Sequence, residues 1–346
     1  MEETFDQLLT RAMELKASDI HMTVAVPPIF RVHGVLRRHQ TAALTPRDTE
    51  QMARAILSEK LWRRFEEVGE VDLSYSIPGV SRFRINVYHQ RGCVSLAVRV
   101  VPRNVPALGD LDLPEVLKTL SGKPQGLLLV TGPTGSGKST TLAAMIHHMN
   151  TSMQRHIITL EDPIEYLHKH NQCIIDQREV GLDTENFANG LRACLRQDPD
   201  VILVGELRDL ETISTAITAA ETGHLVLATL HTSSAAQTID RIIDVFPAEQ
   251  QPQIRIQLAS VLTAVLSQRL VRRADGQGRK ALTELLISTS AIKNLIRNGK
   301  MHQIPSIMQT ARDQGMHTMD MSIRKMLASG IVTMEQVAPF LEERGV

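Results

Sequence analysis

"GLLLVTGPTGSGKSTTLAAMIHHM", residues 126–149, decides the fold. Its first six residues read as a buried strand, and the residues after Lys138 read as a helix. Between them Gly132, four further residues, Gly137, Lys138 and Ser139 fit G-x4-G-K-[ST], the phosphate-binding loop. Glycines let the backbone turn so that successive N–H groups point at one centre. The helix that follows adds the positive end of its dipole. On this reading Gly132, Pro133, Thr134, Gly135, Ser136, Gly137, Lys138, Ser139 and Thr140 cradle the phosphates of a nucleotide. Lys138 reaches the β- and γ-phosphates, and the Ser139 hydroxyl is the candidate Mg²⁺ ligand. The plain alternative is a glycine turn between a strand and a helix. The apolar strand before the loop and the helix after it disfavour that reading.

Downstream, apolar runs at 157–160, 201–204 and 225–230 join the one at 127–131, separated by helical stretches. Continuous apolar strands alternating with helices predict a parallel sheet covered on both faces. In such a sheet ligands bind beyond the carboxyl ends of the strands. Three of these strands end on polar residues: "HIITLEDPIEY" on Glu161, "VILVGE" on Glu206 and "HLVLATLHTSS" on His231. One polar residue at a strand end is ordinarily a solvated loop residue. Three of them beside a phosphate loop point to a catalytic site. The general base is Glu161 or Glu206, with Glu161 preferred. A second-strand aspartate that commonly supports the metal is replaced here by Gly205. His224 and His231 bracket a strand and so lie roughly 23 Å apart, too far to bind one ion; His224 reads as structural.

Upstream the texture differs. An amphipathic helix is expected over 3–16, strand–turn–strand over 27–38, and one helix over 45–67 with Thr45 as cap and Pro46 first. "VDLSYSI", "VSRFRINVYHQ" and "CVSLAVRVV" alternate with period two, as antiparallel strands do. Residues 1–101 therefore predict a small α+β domain. Residues 102–114, with prolines at 102, 106 and 114, predict a linker, and 115–346 the nucleotide-binding domain. Helices are expected near 291–298, capped by Ser290, and near 318–328 and 333–343. Within "SRFRINVYHQ", Arg82, Arg84, Asn86 and Tyr88 share one face. A solvated sheet surface is the plain reading for a lone arginine; an arginine finger toward a phosphoryl group is the functional one. Arg192 and Arg196 are expected on one helical face, as surface charge or as a sensor pair.

Composition narrows the function classes. Lys plus Arg equals Asp plus Glu at 38 each, which argues against a dedicated nucleic-acid binder. The three cysteines form no CxxC, so neither a zinc knuckle nor a disulfide framework is indicated. The acidic start "EETFDQLL" does not read as a signal peptide, and no apolar run approaches the ~18–20 residues that span a bilayer. These features predict a cytoplasmic chain that reaches a membrane only through partners.

Four segments together resemble a known family. "GPTGSGKSTT" (132–141), "ITLEDPIEY" (158–166), "LRQDPDVILVGELRD" (195–209) and "ETGHLVLATLHTSSA" (221–235) are similar to the Walker A, Asp box, Walker B and His box of the secretion-superfamily ATPases. These drive type IV pili and type II secretion. The likeness extends from "ASDIHM" near the start to "DRIIDVFP" at 240–247. "AIKNLIRNGK" (291–300) resembles the C-terminal signature of the pilus-retraction subgroup. Assembly ATPases of the family typically carry an extra N-terminal domain and a four-cysteine zinc motif, and this chain has neither.

The resemblance implies an α/β chain with a PAS-like N-terminal domain, a RecA-like ATPase domain and a helical C-terminal region. It implies a homohexameric ring that hydrolyses ATP with Mg²⁺, one site between the domains of each subunit, and movement between domains that drives pilus retraction and twitching motility. Its implied partners are an inner-membrane platform protein and a paralogous retraction ATPase, with no nucleic acid and no direct membrane insertion. It places the chain at the inner face of the cytoplasmic membrane. Glu161 matches the Asp-box glutamate, Glu206 the Walker B glutamate and His231 the second His-box histidine. Arg84 and Arg99 match arginines of the N-terminal domain that reach the phosphates. Family members lack the Walker B aspartate as well, so Gly205 fits. Two rivals stand beside this reading: an accessory, nucleotide-gated ring with weak hydrolysis, and a nucleic-acid translocase on the same core.

Overall fold

The structure is a computed structural model that describes residues 4–102 and 104–342. The outer ends of the helices expected over 3–16 and 333–343, Glu3 and Glu343, lie outside the described residues. The chain divides into two compact units, residues 1–104 with 165–167, and residues 105–164 with 168–346.

The first unit is a six-stranded antiparallel sheet with three helices. In chain order it runs α1 (Phe5–Glu14), β1 (Ala17–Met22), β2 (Ile29–Val32), β3 (Val35–Arg38), α2 (Pro46–Ile56), α3 (Glu59–Val68), β4 (Glu70–Ile77), β5 (Ser81–Gln90) and β6 (Cys93–Val100). The strands lie in the order β3-β2-β1-β6-β5-β4. Helix α1 starts at a capping box, in which Thr4 and Gln7 each satisfy the other's backbone N–H. Phe83, Ile85 and Val87 of β5 face the core while Arg82, Arg84, Asn86 and Tyr88 alternate onto the other face.

The single helix expected over 45–67 is two. Leu57 is extended, and the Ser58 side chain accepts from Leu61 N to start α3 afresh. Gly69, at φ +88°, ends α3 in the left-handed region. Strand β1 is an element that the periodicity alone does not announce. Its Ile20 and Met22 are fully buried between β2 and β6.

The second unit continues with α4 (Val116–Ser121), β7 (Gly126–Thr131), α5 (Lys138–Ser152), β8 (His156–Glu161), β9 (Ile174–Glu179), α6 (Phe187–Cys194), β10 (Val201–Val204), α7 (Leu210–Glu221), β11 (Leu225–Leu230), α8 (Ala235–Asp244), α9 (Gln251–Val261), β12 (Leu262–Arg272) and β13 (Arg279–Ile287). Helices α10 (Ser290–Arg297), α11 (Ile304–Thr310), α12 (Met319–Ala328) and α13 (Met334–Glu342) close it. Its seven-stranded sheet has the order β13-β12-β7-β11-β10-β8-β9, parallel throughout except for the β12–β13 pair.

Both faces of this sheet are covered, and the alternation shows it residue by residue. Leu127 and Leu129 enter one core, Leu128 and Val130 the other; Ile202 and Val204 face the first, Val201 and Leu203 the second. A strand buried on both faces has no polar alternation, which is why these runs read as continuous apolar text. Within the stretch expected to be a linker, Leu108 and Leu113 are buried in the second of these cores, and Asp112 pairs with Lys280 at 2.7 Å.

Two local expectations need correction. Helix α10 is capped by Thr289, whose side chain accepts from Ile292 N, not by Ser290. Helix α6 ends at Cys194, so Arg196 lies beyond it in a turn and does not share a helical face with Arg192. Arg192 pairs instead with Glu211 at the start of α7. His224 bonds through Nδ1 to Ala219 O at 2.9 Å, sealing the end of α7, the structural part expected of it.

Candidate functional site

The site is assembled at the carboxyl edge of the parallel sheet. Thr131 is level with Leu230, Ala228 with Val204, and Val204 with Leu160. The tips of β7, β11, β10 and β8 therefore end side by side. At ~4.8 Å per strand, β8 stands about 14 Å from β7, with His231 and Glu206 on the two strands between.

The phosphate loop itself is built on three glycines with positive φ: Gly132 at +142°, Gly135 at +78° and Gly137 at +92°. A Cβ at Gly132 would stand 2.3 Å from the Gln268 carbonyl oxygen of β12, so no other residue fits there. Gln268 is buried, and its Nε2 donates to Ser136 O at 3.4 Å, bracing the loop from beneath. The Lys138 ammonium spans the loop, donating to Gly132 O at 2.8 Å and Pro133 O at 3.0 Å. Burial pushes the Lys138 pKa down, against the attraction of the Glu206 carboxylate. Ser139 and Thr134 are exposed, and Thr140 is half-buried at the start of α5.

Glu206, the residue directly after Gly205, is held between the Arg208 guanidinium and the His231 imidazole. Arg208 Nε lies 2.7 Å and His231 Nε2 3.3 Å from its Oε2. Gly205 has a steric reason. A Cβ there would meet the Leu160 carbonyl at 3.1 Å and the Phe187 ring at 3.3 Å, so any side chain would crowd both. Glu161 occupies the tip of β8, where Thr159 Oγ1 and Gln177 Nε2 both donate to its Oε1, at 2.7 and 3.0 Å.

Among the sequence-predicted residues, the structure thus brings the 132–140 loop, Glu161, Glu206 and His231 to one sheet edge of the second unit. Arg84 and Arg99 belong to the first unit, where they are register partners on β5 and β6. Arg99 Nε bonds to Asp19 Oδ1 at 3.0 Å.

Sequence reasoning missed Thr159, Gln177, Arg208 and Gln268. Thr159 lay two residues before Glu161, on the same face of its strand, and that spacing was available as a signal. Gln177 and Gln268 sit on strands that periodicity did not reveal.

The oxygen donors present, the Ser139 hydroxyl and the Glu206 carboxylate, are of the type that Mg²⁺ takes, and the glycine loop is a cradle that a Cβ would fill. Among the described residues no group of three or more His, Cys, Asp or Glu could hold a metal ion by itself. Among the described residues, too, no helix is long and apolar enough to cross a membrane.

One consequence for stability follows from the loop beside Glu161. His168 donates its N–H to Gln177 Oε1 at 2.8 Å. Burial, and secondarily the charge of His147, holds its imidazole down to about 4 from 6.5. The folded state therefore keeps His168 neutral. Stability from this group is complete above pH 6.5 and is lost as pH falls toward 4, on the order of 2–3 kcal/mol. Urea midpoints at pH 7.5 and 5 should converge in His168→Gln relative to the parent. An unchanged pH dependence would remove His168 from the account.

The comparisons with known proteins agree with this geometry. The chain is 47% identical over 329 residues to the type IV pilus retraction ATPase PilT of Pseudomonas aeruginosa, covering 95% of each. It is 42% identical over 331 residues to the type IV pilus ATPase PilU of the same organism, covering 96% of this chain and 87% of PilU. A crystal structure of the pilus retraction motor PilT with bound ADP superposes with a TM-score of 0.90 at 49% identity, over 97% of this chain and 96% of that one. The fold is α/β, with a RecA-like second unit that carries helices at its C-terminal end. The model of the type II/IV secretion system protein family matches residues 1–339, and the chain belongs to that family.

Proposed function

We propose that the chain is an ATPase motor of type IV pilus retraction, working as a homohexameric ring. The observation that carries the reading is the convergence at one sheet edge of a phosphate loop, Glu161, Glu206 and His231, with Lys138 and Glu206 in electrostatic contact. Support comes also from the likeness to PilT over nearly the whole chain.

The 132–137 backbone N–H groups and the start of α5 bind the β- and γ-phosphates, and Lys138 exchanges its loop carbonyls for phosphate oxygens. Ser139 would hold Mg²⁺, which supplies positive charge to the triphosphate. Glu161 takes the proton of the attacking water, which lines up on the γ-phosphorus. Glu206 anchors Arg208 and His231 beside the γ-phosphate, so the Arg208 guanidinium faces developing negative charge with the His231 ring next to it. The family resemblance assigns Arg84 and Arg99 of the first unit the part of further positive charge for the phosphates. Coupling of hydrolysis to movement between the two units is what makes the enzyme a motor. The force passes to a membrane platform partner, and the chain works in the cytoplasm against the inner membrane through that partner.

A second reading is favoured by the 42% identity to PilU: an accessory ring that acts beside a second retraction ATPase. Expression in a piliated strain stripped of its retraction ATPases tests both. The motor reading expects fluorescently labelled pili to shorten with this chain alone. Shortening only when a second retraction ATPase is restored selects the accessory reading. Absence of Mg²⁺-dependent ATP hydrolysis by the purified chain, with or without its partner, overturns both.

A further inference from the structure

Glu161 ends a strand with three rotatable side-chain bonds, yet a general base works only when its oxygen is aimed at one water. Something must fix it. The sheet supplies two donors. Thr159 lies two residues back on β8, so its side chain falls on the same face as that of Glu161. Gln177, on the edge strand β9, is the direct register partner of Thr159. In a parallel pair register partners also point to the same face, so Thr159, Glu161 and Gln177 form a triangle on one surface of the sheet. Thr159 Oγ1 and Gln177 Nε2 donate to the same carboxylate oxygen, Oε1, at 2.7 and 3.0 Å.

The orientation of the Gln177 amide is itself decided by its neighbours. Its other end, Oε1, receives the His168 backbone N–H at 2.8 Å, which can only donate. The ionised Glu161 carboxylate can only accept. The amide therefore has one consistent placement, with its NH₂ toward Glu161 and its oxygen toward His168. Thr159 is fully buried, so its hydroxyl has few competing water partners. Both donors stand on strands rather than loops, which is the arrangement that holds a reacting group to a fraction of an ångström.

We infer that Thr159 and Gln177 are positioning residues that pin Oε1 of Glu161 and so fix the direction in which the carboxylate meets the attacking water. The inference rests on the assignment of Glu161 as base. The competing role for Gln177 is structural: to hold the loop at His168. Gln177→Glu separates the two. A carboxylate there still accepts from His168 N–H, but it faces Glu161 with a like charge and no donor. Thr159→Val tests the other donor independently, keeping the shape and losing the hydroxyl, and Thr159→Ser restores it.

The measurement is steady-state ATP hydrolysis by the full chain with Mg²⁺. Gln177→Glu and Thr159→Val are expected to lose roughly 10- to 100-fold in kcat. KM for ATP should stay within about twofold, because neither residue belongs to the phosphate loop. Thr159→Ser should recover most of the loss. The inference is overturned if both donor-less variants keep kcat within about twofold of the parent while Glu161→Gln is inactive. If Glu161→Gln itself turns over normally, the assignment of the base fails first, and this inference goes with it.

Discussion

Glu161→Gln is expected to bind nucleotide as the parent does and to lose roughly 10²–10⁴ in kcat, the range that a positioned general base supplies. The substitution keeps the volume and one acceptor oxygen, which Thr159 and Gln177 can still bond, and removes the charge and the ability to take a proton. Glu161 stands on β8, about 14 Å from the phosphate-loop strand, so binding of the β-phosphate and its metal does not pass through it. Lys138→Ala should behave differently. Its ammonium is the positive charge that the loop directs at the phosphates, so its loss should raise KM and lower kcat together, by about 100-fold or more. Binding of a fluorescent ATP analogue, measured beside turnover, separates the two patterns. Near-normal turnover in Glu161→Gln would move the base to Glu206. Near-normal turnover in Lys138→Ala would end the ATPase reading altogether.

The second large effect concerns a residue outside the chemistry. Glu284 on β13 is only 5% exposed, and its carboxylate bridges two helix starts. Oε1 accepts from Ala235 N, first residue of α8, at 2.8 Å, and Oε2 from Met319 N, first residue of α12, at 3.3 Å. A helix start carries unsatisfied N–H groups and positive partial charge, so an anion is the natural partner for both. Glu284→Ala orphans two buried donors. At about 1.5–3 kcal/mol for each hydrogen bond to a charged group, the loss should be ~3–6 kcal/mol. For a unit of this size the thermal midpoint should then fall by about 10 °C or more. Turnover should suffer too, because α8 begins four residues after His231 and Thr232 bonds to Thr238 within it. A midpoint within about 2 °C of the parent would show that water takes over both donors.

The fully buried parallel strands and the alternating strands β4, β5 and β6 were legible in the sequence, whereas β1, β9, β12 and β13 were not. Val201–Val204 and Leu225–Leu230 were read to the residue, because a strand covered on both faces is apolar at every position. Strand β9, "IIDQRE", buries only Ile175 and Glu179 and leaves Ile174 and Asp176 in solvent, so six residues of it carry no clear period. Strand β12 is buried, yet it carries Ser267 and Gln268 in its centre, one on the Thr131 hydroxyl and the other under the phosphate loop. Polar residues placed for those contacts interrupt the apolar run that would have announced it. The split of 45–67 turned on Ser58 acting as a cap, which competes with helix continuation by a margin too small for periodicity to reveal. The site was legible wherever a motif names the chemistry directly, as in the 132–140 loop and the strand-end acids. Its supporting residues were hidden because register between strands distant in sequence brings them together.

Strand β7, which feeds the phosphate loop, takes both of its neighbours from later chain: Leu225–Leu230 on one side and Leu262–Arg272 on the other. A growing polypeptide that has emerged only as far as Ser139 therefore holds the whole loop motif and none of its frame. The carbonyl of Gln268 that closes against Gly132 is made more than a hundred residues afterwards. Nucleotide capture is thus deferred by the order of synthesis, and a protein cut short before β12 would carry the motif without the ability to use it.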